Sequence, residues 1–312
     1  MMTGRASPRT IALAGVAVLG LVALIAFLAG RDAASEASQP LVRGDPVTGP
    51  FEGLGVWVDI YDDEAWGDPT TTVDTMVASG ARTLYLQSSN ADRGGPFVFP
   101  EGTAAFVDAA HDRGVQVVAW YLPHLTDLVV DRARTRAALA FTTPRGDRFD
   151  GFALDIESAA VRDPARRSER LVRLSTRLRE LAGDRYPLGA IVPSPVRLAD
   201  DLAYWPGFPW GDLARTYDAV LPMTYYTFRV RGPAETLDYV TRAIDEIRAG
   251  VGSEAVPIHV IGGLARDATG AETAAFVRAV RDAGVIGASY YTHPYVTAEQ
   301  WSILARVNAV VD

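Results

Sequence analysis

Asp150-Gly151-Phe152-Ala153-Leu154-Asp155-Ile156-Glu157-Ser158 alternates with a period of two. Successive side chains of a strand point to opposite faces. Phe152, Leu154 and Ile156 therefore share an apolar face suited to packing under helices, and Ala153, Asp155 and Glu157 share the other. A strand from Gly151 to Glu157 delivers two acids to one end of whatever sheet contains it.

Outward from this stretch the chain is cyclic. Further strands are predicted at Leu54–Ile60, Thr83–Ser88, Gln116–Leu122, Leu188–Pro193, Ala219–Tyr225, Pro257–Ile261 and Gly287–Thr292. Helical patterns fall between or after them at Thr70–Ser79, Thr103–Arg113, Val130–Ala140, Ala165–Ala182, Ala234–Ala249, Ala271–Ala283 and Ala298–Val310. Gly80, Gly114, Gly183 and Gly284 stand where helices should end before the next strand, as the left-handed C-terminal cap favours. Alternating strands and helices imply parallel pairing with right-handed crossovers. Eight such units over residues 51–312 predict a (β/α)8 barrel, an α/β fold. No G-x-G-x-x-G follows the first strand, which disfavours a doubly wound dinucleotide-binding sheet. Residues 196–215 hold Tyr204, Trp205, Phe208 and Trp210 among prolines and glycines and read as a loop-rich insertion.

Composition bounds the function. The 312 residues are 48% hydrophobic and 22% charged, with a net charge of −8 and no cysteine. The acidic balance argues against nucleic acid as a partner. The absence of cysteine excludes disulfides, thiol nucleophiles and cysteine metal sites. Residues 11–29, IALAGVAVLGLVALIAFLA, carry no charge and are long enough to span a bilayer. Arg5 and Arg9 precede them, so residues 1–10 are expected in the cytoplasm. Residues 11–29 then form a single-pass signal-anchor at the cell membrane, and residues 30–50 a flexible linker to an extracytoplasmic domain. Cleavage as a signal peptide, with secretion, is the alternative; Leu28 and Arg31 fit a cleavage site poorly.

Active sites of this fold lie at the C-terminal ends of the strands. Asp59, Gln87, Trp120, Tyr121, Met223, Tyr225, Tyr226 and Tyr291 fall there beside Asp155 and Glu157, as do Ser88, Asn90 and Tyr290, with His293 just beyond the eighth strand. Two carboxylates in a confined mouth cannot both ionise cheaply, so one pKa should rise. A carboxylic acid held protonated near neutrality can protonate a glycosidic leaving group. The aromatic rings Trp57, Trp66, Trp120, Tyr121, Trp205, Trp210, Tyr225, Tyr226, Tyr290 and Tyr291 suit the apolar faces of sugars. About half are expected against the helices instead, Trp57 among them, on the reading that it alternates away from Asp59. Paired acids also serve metals, but the four histidines show no ligating spacing and His111 is expected mid-helix in solvent, so neither metal nor cofactor is expected.

The segment Asp150–Glu157 resembles the D-G-x-D-x-D-x-E signature of family 18 glycoside hydrolases, the chitinase-like group, at the end of the fourth barrel strand. Met223-Thr224-Tyr225-Tyr226 looks like that family's M-x-Y-D motif on the sixth. The resemblance implies Glu157 as general acid, Asp155 as the carboxylate orienting a substrate N-acetyl group, and Tyr225 as its hydrogen-bond partner. Ala153 stands where the family has an aspartate, Tyr226 where M-x-Y-D has its acid, and Tyr290-Tyr291-Thr292 where a tryptophan is usual. Family 25 lysozyme-like hydrolases are a sibling resemblance: they also carry a D-x-E pair at this place, with Asp59 then a further site carboxylate. Two readings follow. One is a cell-surface glycoside hydrolase acting, as a monomer, on N-acetylhexosamine polymers such as chitin or cell-wall peptidoglycan. The other, motivated by Ala153 and Tyr226, is a non-catalytic glycan-binding barrel.

Overall fold

The parallel strands expected from the alternation are present in the computed structural model, which describes residues 45–310. They are β1 (Gly53–Val58), β2 (Thr83–Asn90), β3 (Gln116–Leu122), β4 (Gly151–Asp155), β5 (Leu188–Val192), β6 (Ala219–Pro222), β7 (His259–Leu264) and β8 (Gly287–Tyr291). The sheet runs β6-β5-β4-β3-β2-β1-β8-β7, all parallel. Bridges Val220–Ile258 and Met223–Ile261 join β6 to β7 and close the barrel.

The surrounding helices are α1 (Pro69–Ala78), α2 (Pro100–His111), α3 (Leu128–Ala140), α4 (Pro164–Ala182), α5 (Trp210–Thr216), α6 (Pro233–Val251), α7 (Gly270–Asp282) and α8 (Ala298–Leu304). Side chains of Asp68, Asp127 and Asp163 accept backbone N–H bonds at the starts of α1, α3 and α4, and Thr269 with Glu272 forms a capping box on α7. These satisfy donors that a helix start otherwise leaves open. Gly80, Gly114, Gly183 and Gly284 all take positive φ, at 82°, 71°, 77° and 61°, as expected of glycines ending helices, although Gly183, with ψ 168°, is extended in ψ and not in the left-handed helical conformation.

Residues 196–215 are more ordered than their composition suggests. They hold most of a short helix, Pro195–Asp200, and nearly all of α5. Proline and glycine erase the helical period in the sequence, but buried rings restore order. Trp205 donates from Nε1 to Ser168 Oγ at 2.9 Å and lies 4.4 Å beneath the Arg167 guanidinium. Phe208 packs edge-on to both Trp205 and Trp210.

The core has two layers. Between sheet and helices lie Phe152, Leu154 and Ile156 with residues such as Leu84, Phe106, Leu174 and Phe276. Inside the barrel lie Phe51, Trp57, Tyr85, Val118, Trp120, Ala153, Ile191, Leu221 and Ile261. Trp57 is thus an interior residue and not a helix-facing one. It stands two positions from Asp59, so the two share a face. Its ring stacks on Tyr85 at 4.2 Å, and a Cβ at Gly55 would come within 2.5 Å of that tyrosine. Trp57 Nε1 donates to Ser289 Oγ at 2.7 Å, Ser289 Oγ lies 3.0 Å from His259 Nε2, and His259 Nδ1 lies 2.8 Å from the Phe51 carbonyl. A neutral imidazole protonated on Nδ1 satisfies this chain, with Ser289 donating to Nε2.

The N-terminal end of the barrel is sealed by Phe51 and tied by a buried ion pair. Arg179 Nη2 meets Asp218 Oδ2 at 2.6 Å, and Asp218 also accepts the Leu188 and Val47 N–H groups. The expected span at residues 11–29, the segment 1–10 and most of the linker lie outside the described residues. Among the described residues no helix is long and apolar enough to cross a membrane.

Candidate functional site

β4 positions the two acids. Its apolar residues pack under the helices and Ala153 faces the interior. Asp155 follows on the same face, 5% exposed, and its Oδ1 has no hydrogen-bond partner. Burial raises the Asp155 pKa well above the usual carboxylate value, and the Glu157 charge raises it further. Glu157, just past the strand, is reachable from the open mouth. The surrounding walls still strip enough water to raise its pKa too.

Beyond β6 the chain turns at Tyr225, whose φ of 41° and ψ of 50° are left-handed. A non-glycine residue there costs on the order of 1 kcal/mol or more. The Tyr225 hydroxyl is pushed up by burial, then by the charges of Asp155, Glu157 and Asp59. Its ring lies 6.3 Å from that of Tyr291. Tyr291 donates its hydroxyl to Asp59 Oδ2, while Asp59 Oδ1 accepts the Tyr61 N–H at 2.7 Å. Burial first, and Asp59 second, hold the Tyr291 proton on. Asp59, Asp155, Glu157, Tyr225 and Tyr291 therefore meet at one mouth, from the ends of β1, β4, β6 and β8. A cavity of about 130 Å3 opens beside Glu157, walled by Met223, Tyr225, Tyr204, Phe228, Arg197 and Arg229.

Other residues expected at the mouth lie elsewhere. Tyr121 alternates outward, where its hydroxyl donates to Asp131 Oδ1 at 2.6 Å and lies 3.3 Å from Arg134 Nη1. Arg134 also binds the carbonyls of Arg93 and Gly95, so this group pins the loop after β2. Tyr226 is turned out of the mouth: it bonds Tyr290 hydroxyl to hydroxyl at 2.6 Å and packs on Phe276 of α7. Trp120 is interior, beneath the mouth, edge-on to Trp57 at 5.8 Å, and its Nε1 has no partner. Gln87 is buried and accepts the Ile60 N–H at 3.1 Å, fastening β2 to the chain leaving β1. Trp66 packs on Phe99 and Phe106, while Trp205 and Trp210 belong to the packing around α5. His111 ends α2, half-buried, with Nε2 2.9 Å from Asp150, because the helix stops two residues before Arg113, its expected end.

Sequence reasoning did not assign Tyr204, Arg197, Phe228 or Arg229 to the site. The Tyr204 hydroxyl reaches the Glu157 carbonyl at 3.4 Å. The available signal was position: Tyr204 and Arg197 follow β5, and Phe228 and Arg229 follow β6, both at the catalytic end of such a barrel. A larger groove of about 610 Å3 lies beside Gly284, which precedes β8, lined by Arg278, Arg281 and Arg306. That is the opposite end of the barrel, and none of the candidate residues reaches it. Among the described residues no group of three or more His, Cys, Asp and Glu has a metal-binding arrangement.

No protein-family profile and no curated protein matches the sequence. Solved structures do match in shape. A family GH18 chitinase from Cycas revoluta, in complex with allosamidin, superposes with a TM-score of 0.60 at 12% identity, covering 81% of this chain and 99% of that one. The endo-beta-1,4-mannanase of Thermotoga petrophila gives 0.62 at 11% identity, covering 84% and 77%. The spore cortex-lytic enzyme SleL of Bacillus cereus gives 0.60 at 12% identity, covering 82% and 74%. The chain has the (β/α)8 barrel fold that family 18 chitinases and related glycoside hydrolases also have. At these identities the likeness is one of fold.

Proposed function

We propose that the chain is a glycoside hydrolase acting on N-acetylhexosamine-containing polysaccharide, chitin-like or peptidoglycan. The observation that carries this reading is the pair at the end of β4: Asp155 sealed in with a free Oδ1, and Glu157, just past the strand, open to the mouth with a raised pKa. Glu157 is the general acid. It gives its proton to the glycosidic oxygen as the bond to the anomeric carbon breaks. The substrate's acetamido oxygen attacks that carbon, and Asp155 Oδ1 accepts the acetamido N–H that becomes more acidic. Tyr225 donates its hydroxyl to the same acetamido oxygen. Water then opens the cyclic intermediate, with Glu157, now a carboxylate, as base.

The hydrophobic run at 11–29 supports placing this barrel outside the cytoplasm, anchored at the membrane and within reach of cell-wall glycans. The test is hydrolysis of chito-oligosaccharides and peptidoglycan by the full chain and by Glu157→Gln. The variant should lose turnover by at least about 10³-fold while keeping saccharide affinity; undiminished turnover overturns the reading.

A non-catalytic glycan-binding barrel is the second reading. It is favoured by Ala153 and the outward Tyr226, which supply no further carboxylate beside Asp155. Saccharide binding without turnover by the unaltered chain would select it.

A further inference from the structure

Arg197 and Arg229 line the same cavity as Glu157, yet neither guanidinium lies within 4 Å of a mouth carboxylate. Arg197 has one distant ion pair, 3.8 Å to Asp201 on its own helix, and Arg229 meets no carboxylate among the described residues. The Arg197 guanidinium sits 3.6 Å over the Tyr204 ring, a stacking that fixes its fork without using its hydrogen-bond donors. The Tyr204 hydroxyl is in turn tied to the Glu157 carbonyl, so the stacked guanidinium has a fixed place relative to the acid. In a chain of net charge −8, two cations gathered at one cavity are a local reversal of sign. A neutral homopolymer offers them hydroxyl and carbonyl acceptors but no opposite charge.

Building on the glycosidase reading, we infer that Arg197 and Arg229 recognise an anionic substituent of the glycan. The ligand is an N-acetylhexosamine polymer with a carboxylate close to the cleaved bond. A carboxylate matches the planar guanidinium fork in two-point contact, which a hydroxyl does not. Tyr204 acts as the positioning residue that holds Arg197 flat against the cavity wall.

The test is the affinity of the full-length Glu157→Gln chain for one oligosaccharide in two forms. One is an N-acetylglucosamine–N-acetylmuramic acid tetrasaccharide with free lactyl carboxylates; the other is the same sugar with those carboxylates amidated. The free acid should bind roughly tenfold or more tightly at low salt. The ratio should shrink at high ionic strength, because exposed cations are screened. Adding Arg197→Gln and Arg229→Gln should bring the ratio close to one, and Arg197→Lys should leave an intermediate ratio, keeping charge but losing the fork. Equal affinity for both forms in the Glu157→Gln chain overturns this inference and leaves the glycosidase reading standing. A preference that survives in the double-arginine variant also overturns it. Failure to bind either form overturns both.

Discussion

Asp155 ends β4 and Glu157 stands two residues beyond it, the first sealed beneath the mouth and the second opening into it. Asp155 in the folded chain holds its proton above the ordinary carboxylate range, because of burial and then the Glu157 charge. Its contribution to stability is therefore full below the unfolded-state value and is lost as pH rises through the folded one. Asp155→Asn, neutral at all pH, should escape that loss. At pH 7 it should be more stable on the order of 1 kcal/mol, seen as a Tm about 2–4 °C higher, while turnover falls. A lower Tm at pH 7 would contradict the assigned burial cost.

Tyr225 faces three carboxylates from an unusual backbone position. Tyr225→Phe keeps the ring against Tyr291 and removes only the hydroxyl. kcat/KM should drop about 10- to 100-fold, the worth of one hydrogen bond to developing charge, with KM moving less than kcat and Tm near unchanged. An unaltered kcat would remove Tyr225 from the reacting centre.

His259 in the barrel interior is buried neutral, with its pKa lowered to about 4 by burial. For a depressed histidine the contribution is present above the unfolded value of about 6.5 and is lost as pH falls toward 4. About 3 kcal/mol should disappear over that window. Urea denaturation at pH 7 and pH 4.5 should show the steep dependence in the parent chain and a shallower one in His259→Gln. Parallel pH profiles would refute the neutral-imidazole network.

The Arg179–Asp218 pair is fully buried; Arg179 also donates to the carbonyls of Thr216, Gly183 and Tyr186, and Asp218 accepts the Leu188 and Val47 N–H groups. Arg179→Met removes the guanidinium 2.6 Å from Asp218 Oδ2 and should cost about 3–5 kcal/mol, the loss expected when one member of a buried pair is removed. Joint replacement of Arg179 by Met and Asp218 by Leu should recover much of this, because the buried carboxylate goes with its guanidinium. Equal destabilisation in single and double variants would show that Asp218 does not depend on Arg179.

The barrel was legible because its signals are local: alternation gave the strands, and Gly80, Gly114, Gly183 and Gly284 marked helix ends. The placement of Asp155 and Glu157 followed from the same alternation. The aromatic mouth was harder. Tyr121 and Tyr226 sit next to inward residues, and a one-residue difference in register sends a ring to the helices, as it did for both. Trp57 was misplaced by a parity slip alone, since it is two residues from Asp59. Arg197 and Tyr204 were hidden because their segment is ordered by long-range ring packing on Trp205 and Arg167, which leaves no periodic trace in the sequence.

The central claim is that Glu157 protonates a glycosidic oxygen while Asp155 holds an acetamido group. The most direct measurement is a crystal structure of the full-length Glu157→Gln chain with a soaked chito-oligosaccharide. The account predicts a glycosidic oxygen about 3 Å from the residue-157 side chain and the adjoining acetamido nitrogen on Asp155 Oδ1. A saccharide seated outside the mouth, or one whose glycosidic oxygens all lie beyond reach of residue 157, would contradict it.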